Sequence, residues 1–152
     1  MDLTDAPEVF VRCVHDPDVS VRLYDRYFPD EYGVGFSARV QAPGLQAEVG
    51  PVEVWVWDAA DLPGFLAGLA ADYTGWEGER TWSTNHLAVR ATFHSRGYVA
   101  LTWVLQPRLS LTESWEARLT TWQEAGAQMA TIADELREFL PSPSTRAQLT
   151  NP

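Results

Sequence analysis

The sequence predicts an α+β domain with about eight mostly antiparallel strands in a curved sheet and two helices. The expected order is four strands, helix, four strands, helix. Three observations carry this. Runs of alternating apolar and polar residues, the period of a strand, recur along the chain. Short connections rich in turn residues join them, which favours antiparallel neighbours over crossover units. Only two stretches, 61–75 and 124–140, repeat apolar residues at helical spacing.

The chain has 152 residues, enough for one domain with a substantial core. That domain is expected over 1–140, with a polar leader at 1–6 and a disordered tail at 141–152, where Pro141-Ser-Pro-Ser stops the last helix. Glu8 to Val14 is the first expected strand, with Val9, Val11 and Cys13 on one face. Asp16-Pro-Asp18 turns the chain. Val19 to Tyr27 is the second, with Val19, Val21 and Leu23 pointing one way. After the loop Phe28–Gly33, the residues Val34, Phe36, Ala38, Val40 and Ala42 alternate with polar or small ones, the pattern of a half-buried strand.

Leu45 to Trp57 reads as a long fourth strand. Its apolar residues fall at odd positions (Leu45, Ala47, Val49) and then at even ones (Val52, Val54, Val56). The phase slips at Gly50-Pro51, so a bulge or kink is expected there. Val52 to Trp57 is apolar on both faces, which predicts an interior strand covered on both sides. Core packing is the role expected of Trp55, Trp57 and Phe65.

Asp61 is a suitable N-cap for the first helix, with Pro63 in its first turn. Leu62, Phe65, Leu66, Leu69 and Tyr73 make the apolar stripe. The small residues Ala67, Gly68, Ala70 and Ala71 suit close approach to a sheet. Thr74-Gly75 ends the helix. Arg80 to Thr84 is a short strand, and Leu87, Val89, Ala91 and Phe93 form one face of the next. Ser95-Arg-Gly97 is a hairpin loop. Tyr98 to Leu105 is apolar on both faces and expected to be central. Pro107 to Thr112 connects to a last strand, Trp115 to Trp122. Glu124 to Leu140 is the second helix, with Met129, Ile132, Ala133, Leu136 and Phe139 as its stripe. Leu66, Leu69, Val54, Leu101, Ile132 and Leu136 are the expected heart of the core.

The net charge is −10, and every one of the 11 basic residues is arginine, a bias that fits GC-rich coding. Such a chain repels nucleic acid and anionic membranes and attracts basic partners, although solubility alone also explains it. The arginines are scattered, with no stripe of the kind that binds nucleic acid. No apolar run approaches a membrane helix, and Met1–Glu8 carries no signal-peptide core, so the cytoplasm is the expected compartment.

No catalytic constellation emerges. Gly33-Val-Gly-Phe-Ser-Ala38 matches the letters of a dinucleotide fingerprint, but it opens a strand rather than a helix, so its glycines cannot bring phosphates to a helix N-terminus. Ser37 lies mid-strand and there is no nucleophile elbow. His86 and His94 would lie roughly 26 Å apart on a straight strand, and with His15 they show no chelating spacing. Asp30-Glu31 and Asp134-Glu135 are neighbours that diverge in regular structure. Cys13, the single cysteine, is expected to be a buried, inert thiol. No catalytic residue, cofactor or metal is therefore expected.

The segment VEVWVWDAADLPGFLAGLAADYTGW, with RTW after it and YVALTWVLQP later, resembles a family of uncharacterised actinobacterial proteins over roughly residues 9–140. The layout is similar to that of immunity proteins of the WapI type. That resemblance implies a non-enzymatic protein that binds and blocks a toxin, and it carries no catalytic residues over. The expected binding surface is the connection after the first helix, where Asp72, Trp76, Glu77, Glu79 and Trp82 set carboxylates beside large rings. The partner class is a basic protein such as a toxin. The alternative is a small-molecule-binding domain or enzyme with a tryptophan-lined pocket between sheet and helices.

Overall fold

The computed structural model describes residues 7–58, 60–107 and 115–141. The expected leader, nearly all of the expected tail and most of the 107–112 connection lie outside the described residues. Strands β1 (Val9–Arg12), β2 (Ser20–Tyr27), β3 (Gly33–Ala42) and β4 (Leu45–Trp55) form one antiparallel sheet in chain order. A 3-10 turn (Val56–Asp58) leads to α1 (Leu62–Ala71). Strands β5 (Glu79–Ser83), β6 (Leu87–His94), β7 (Tyr98–Leu105) and β8 (Ala117–Glu124) form a second antiparallel sheet, again in chain order, and α2 (Ala127–Phe139) follows. The fold class and the order of elements are those the sequence predicts, with the eight strands shared between two sheets.

The sheets meet where the end of β1 passes β8. The Val14 N–H donates to Trp122 O at 2.8 Å. The buried Gln123 side chain donates to Arg12 O at 3.0 Å, and the buried Cys13 Sγ accepts from the Trp122 N–H. Inner faces of both sheets and one stripe of each helix then close a shared core. Phe36 of β3 meets Phe139 of α2 edge-on, with ring centroids 5.9 Å apart. Trp103, wholly buried on β7, donates its indole N–H to Thr121 Oγ1 at 3.0 Å, which spares it a large desolvation cost. Strand β7 is central and buried on both faces, as its composition predicts.

The two helices pack along one another. Asp61 caps α1 by accepting the Gly64 N–H at 3.1 Å, and its carboxylate also pairs with Arg137 of α2 at 2.9 Å. Leu62, Leu66 and Leu69 face inward, while Tyr73 is exposed and Phe65 only half-buried. Ala67, Gly68 and Ala71 face solvent, so their small size does not serve the close helix–sheet approach expected of them. Of the six residues expected at the heart of the core, five are buried and Val54 is half-buried against it.

The phase slip at Gly50-Pro51 is a bulge. Phe36 pairs with Val52 and Ala38 with Val49, so two residues of β4 oppose Ser37 alone. The expectation of an interior, doubly covered strand at Val52–Trp57 is overturned: β4 is an edge strand and ends at Trp55. The Trp55 N–H turns to Asp58 Oδ2 at 2.9 Å and the chain coils into the 3-10 turn. That turn carries Trp57 out of the core, to 65% exposure.

Candidate protein-interaction surface

The connection after α1 divides its expected binding residues among three environments. Asp72 is the C-cap of α1, an unfavourable end of the helix dipole for a carboxylate, and Arg80 offsets this with an ion pair at 2.5 Å. The Arg80 guanidinium also lies 4.8 Å from the Trp76 ring centroid. Trp76 is half-buried: its indole N–H points to Ala91 O at 3.4 Å and its ring packs edge-on against Phe93. Trp82 lies on the inner face of β5 and is buried. Glu77 and Glu79 are exposed and form no ion pair among the described residues. The loop therefore retains two solvated carboxylates, while its rings turn towards the protein.

A larger exposed aromatic surface is built by the end of β2, the loop after it and the turn that follows β4. Tyr27, Phe28, Tyr32, Val56 and Trp57 are all exposed, and Trp55 is half-buried beside them. Trp55 and Trp57 stack with centroids 5.2 Å apart and planes at 11°. Tyr32 lies 6.2 Å from Trp57. The glycines of β3 make this possible. Gly33 pairs with Trp55, and a Cβ there would stand 2.7 Å from the indole ring. Gly35 pairs with Tyr27 on one side and Glu53 on the other, and the Tyr27 ring occupies the place of its missing side chain. The rings thus lie down on bare backbone on the outer face of the sheet.

Carboxylates border the rings. Tyr27 donates to Glu53 Oε2 at 2.6 Å, and this bond, followed by loss of solvent and the Glu53 charge, pushes the Tyr27 phenol up to about 12. A hydrogen bond to Glu31, followed by its charge, raises the Tyr32 phenol. Asp58 holds the Trp55 N–H, and Asp30 Oδ1 accepts the Tyr32 N–H at 2.7 Å. Glu53 also lines a cleft of about 380 Å³, together with Glu48, the Gly50-Pro51 bulge, Asn85, His86 and Pro107. The cleft opens between β4 and the loops of the second sheet. Its described lining mixes polar with apolar residues, Val49 and two prolines among them, and contains no tryptophan, unlike the pocket the sequence alternative required.

The chain covers several of its own rings with arginine, Phe28 at the rim of this surface included. Arg12 and Arg22 lie over Phe10, Arg22 and Arg39 over Tyr24, Arg26 over Phe28 and Arg80 over Trp76, at 4.3 to 5.8 Å from the centroids. Among the described residues no cation lies over Trp55, Trp57 or Tyr32. The histidines do not converge on one ion. His86 Nδ1 bonds Gln106 O, whereas His15 and His94 both flank Trp122, a pairing the sequence spacing gave no hint of. No group of three or more potential metal ligands forms among the described residues. No helix of the described residues is long and apolar enough to cross a membrane.

Sequence reasoning assigned Trp55 and Trp57 to the core and so missed this surface. The available signal was Asp58, a strand-ending residue directly after an aromatic pair, together with two glycines on the neighbouring strand. Comparison with curated proteins and with solved structures found no match in either. The model of the Family of unknown function (DUF6228) matches residues 12–143, nearly the whole fold, and the chain belongs to that family.

Proposed function

We propose that this chain is a non-catalytic protein-binding domain of the cytoplasm whose partner is a basic protein, a toxin in the immunity form of the reading. The resemblance to actinobacterial proteins and to the WapI-type layout is part of this reading. The observation that carries it is the exposed Trp57 ring, stacked on half-buried Trp55 and bordered by Glu31, Glu53 and Asp58. Large rings are the commonest anchors of protein interfaces, and a carboxylate border selects a basic partner and speeds its encounter. Glu77 and Glu79, with the rest of the −10 charge, add long-range steering.

The test is co-purification of the tagged full chain with the proteins encoded beside its gene. A basic protein should be retained at low salt, should elute as salt rises, and should be lost with Trp57→Ala. Retention of no protein would remove the reading. A second reading, binding of a small molecule, is favoured by the cleft beside Glu53 alone. Stabilisation by a small-molecule panel in a thermal melt, with no protein partner found, would place it first.

A further inference from the structure

Resting on the protein-binding reading, we infer that the Trp55–Trp57 stack with its carboxylate border recognises an arginine-bearing segment of the partner. One guanidinium lies over the exposed face of Trp57, and a neighbouring basic side chain enters the cleft beside Glu53. Two independent features meet at this place. The stack is a pair of large rings, Trp57 exposed and Trp55 half-buried, that no arginine of the described residues covers, and Glu53 belongs both to its border and to the cleft wall.

The choice of arginine follows from the chemistry of the site. Guanidinium is planar and weakly hydrated, so it stacks on a ring while its edge still donates to carboxylates. The chain shows that geometry with its own residues, where Arg22 lies 4.3 Å from the Tyr24 centroid and pairs with Glu8 at 2.7 Å. An apolar partner would bury Glu53 and Asp58 without a counter-charge, which is strongly unfavourable. An anionic partner would meet the same carboxylates as repulsion. Neither Glu53 nor Asp58 has an arginine in ion-pair contact among the described residues, so the border is available to a cation from outside.

The probe is a peptide of alternating arginine and glycine, titrated into the 15N-labelled full chain. A lysine–glycine peptide of equal charge and a neutral citrulline–glycine peptide serve as comparisons. The indole N–H signals of Trp55 and Trp57 should move first with the arginine peptide. The lysine peptide should bind several-fold more weakly and the citrulline peptide should leave the indoles unmoved. Trp57→Ala should weaken the arginine peptide about tenfold. Glu53→Gln should weaken it by less and reduce its dependence on salt. Equal binding of arginine and lysine peptides, shifts spread over the acidic residues without the indoles, or an unaffected Trp57→Ala variant would overturn the inference. The co-purification separates the two levels. A basic partner held equally by wild type and Trp57→Ala would overturn this surface and leave the binding function standing. Arginine-selective indole shifts with no protein partner would support the surface and remove that function.

Discussion

At the scale of single residues, burial divides those that hold the fold from those that are spare to it. Leu69 is 1% exposed at the centre of the α1 stripe. Leu69→Ala should cost about 2–5 kcal/mol in a denaturant melt, the usual price of an emptied leucine site. A loss below about 1 kcal/mol would mean that α1 packs differently. Tyr27 makes a prediction about pH. Its phenol is raised to about 12 in the folded chain, from 10.0. The folded state therefore holds that proton more tightly than the unfolded state does. This contribution to stability is fully present below pH 10 and fades as pH rises towards 12. Ultraviolet titration should show Tyr27 and Tyr32 ionising late, and Glu53→Gln should bring the Tyr27 share back towards 10.0. The inward leucines were legible because helical spacing reports them directly. The Tyr27–Glu53 bond was not, because it joins β2 to β4 across a glycine and no sequence spacing encodes that.

At the scale of elements, periodicity located the strands and the bulge but not their place in a sheet. Alternation reports which residues share a face. It does not report whether a strand lies at an edge. Val52–Trp57 looks buried on both faces because an edge strand that lays large rings on its outer face has the composition of a core strand. The glycines Gly33 and Gly35, set aside as a failed nucleotide motif, prove to be seats for Trp55 and Tyr27. Gly35→Ala should displace the Tyr27 ring, break its bond to Glu53 and destabilise the chain by about 1–3 kcal/mol, the usual cost of overpacking. The late titration of Tyr27 should disappear in the same variant while that of Tyr32 stays, and persistence of the Tyr27 share would contradict the seating. The seam between β1 and β8 gives a further expectation. Gln123→Ala removes the bond to Arg12 O and should cost about 1–3 kcal/mol, read as a lowered denaturation midpoint.

At the scale of the whole molecule, four strands and a helix occur twice in the same order, and the halves share one core. That order was legible from hydrophobic periods and turns. The split into two sheets was not, since alternation does not say which strands pair, and the seam between the sheets joins residues about a hundred positions apart, such as Val14 with Trp122. The candidate surface was only partly legible. Net charge pointed to a basic partner, but the loop chosen for its tryptophans turns them inward, because Phe93, Arg80 and the inner face of β5 give them better burial than solvent does. The central claim is that the Trp55–Trp57 stack is a surface for a partner and not part of the core. The stability of Trp57→Ala tests it most directly. Loss of one stacked, exposed ring should lower the free energy of unfolding by no more than about 1.5 kcal/mol, with an unchanged denaturant slope. A loss of about 3–5 kcal/mol, the cost of removing a core tryptophan, would contradict it.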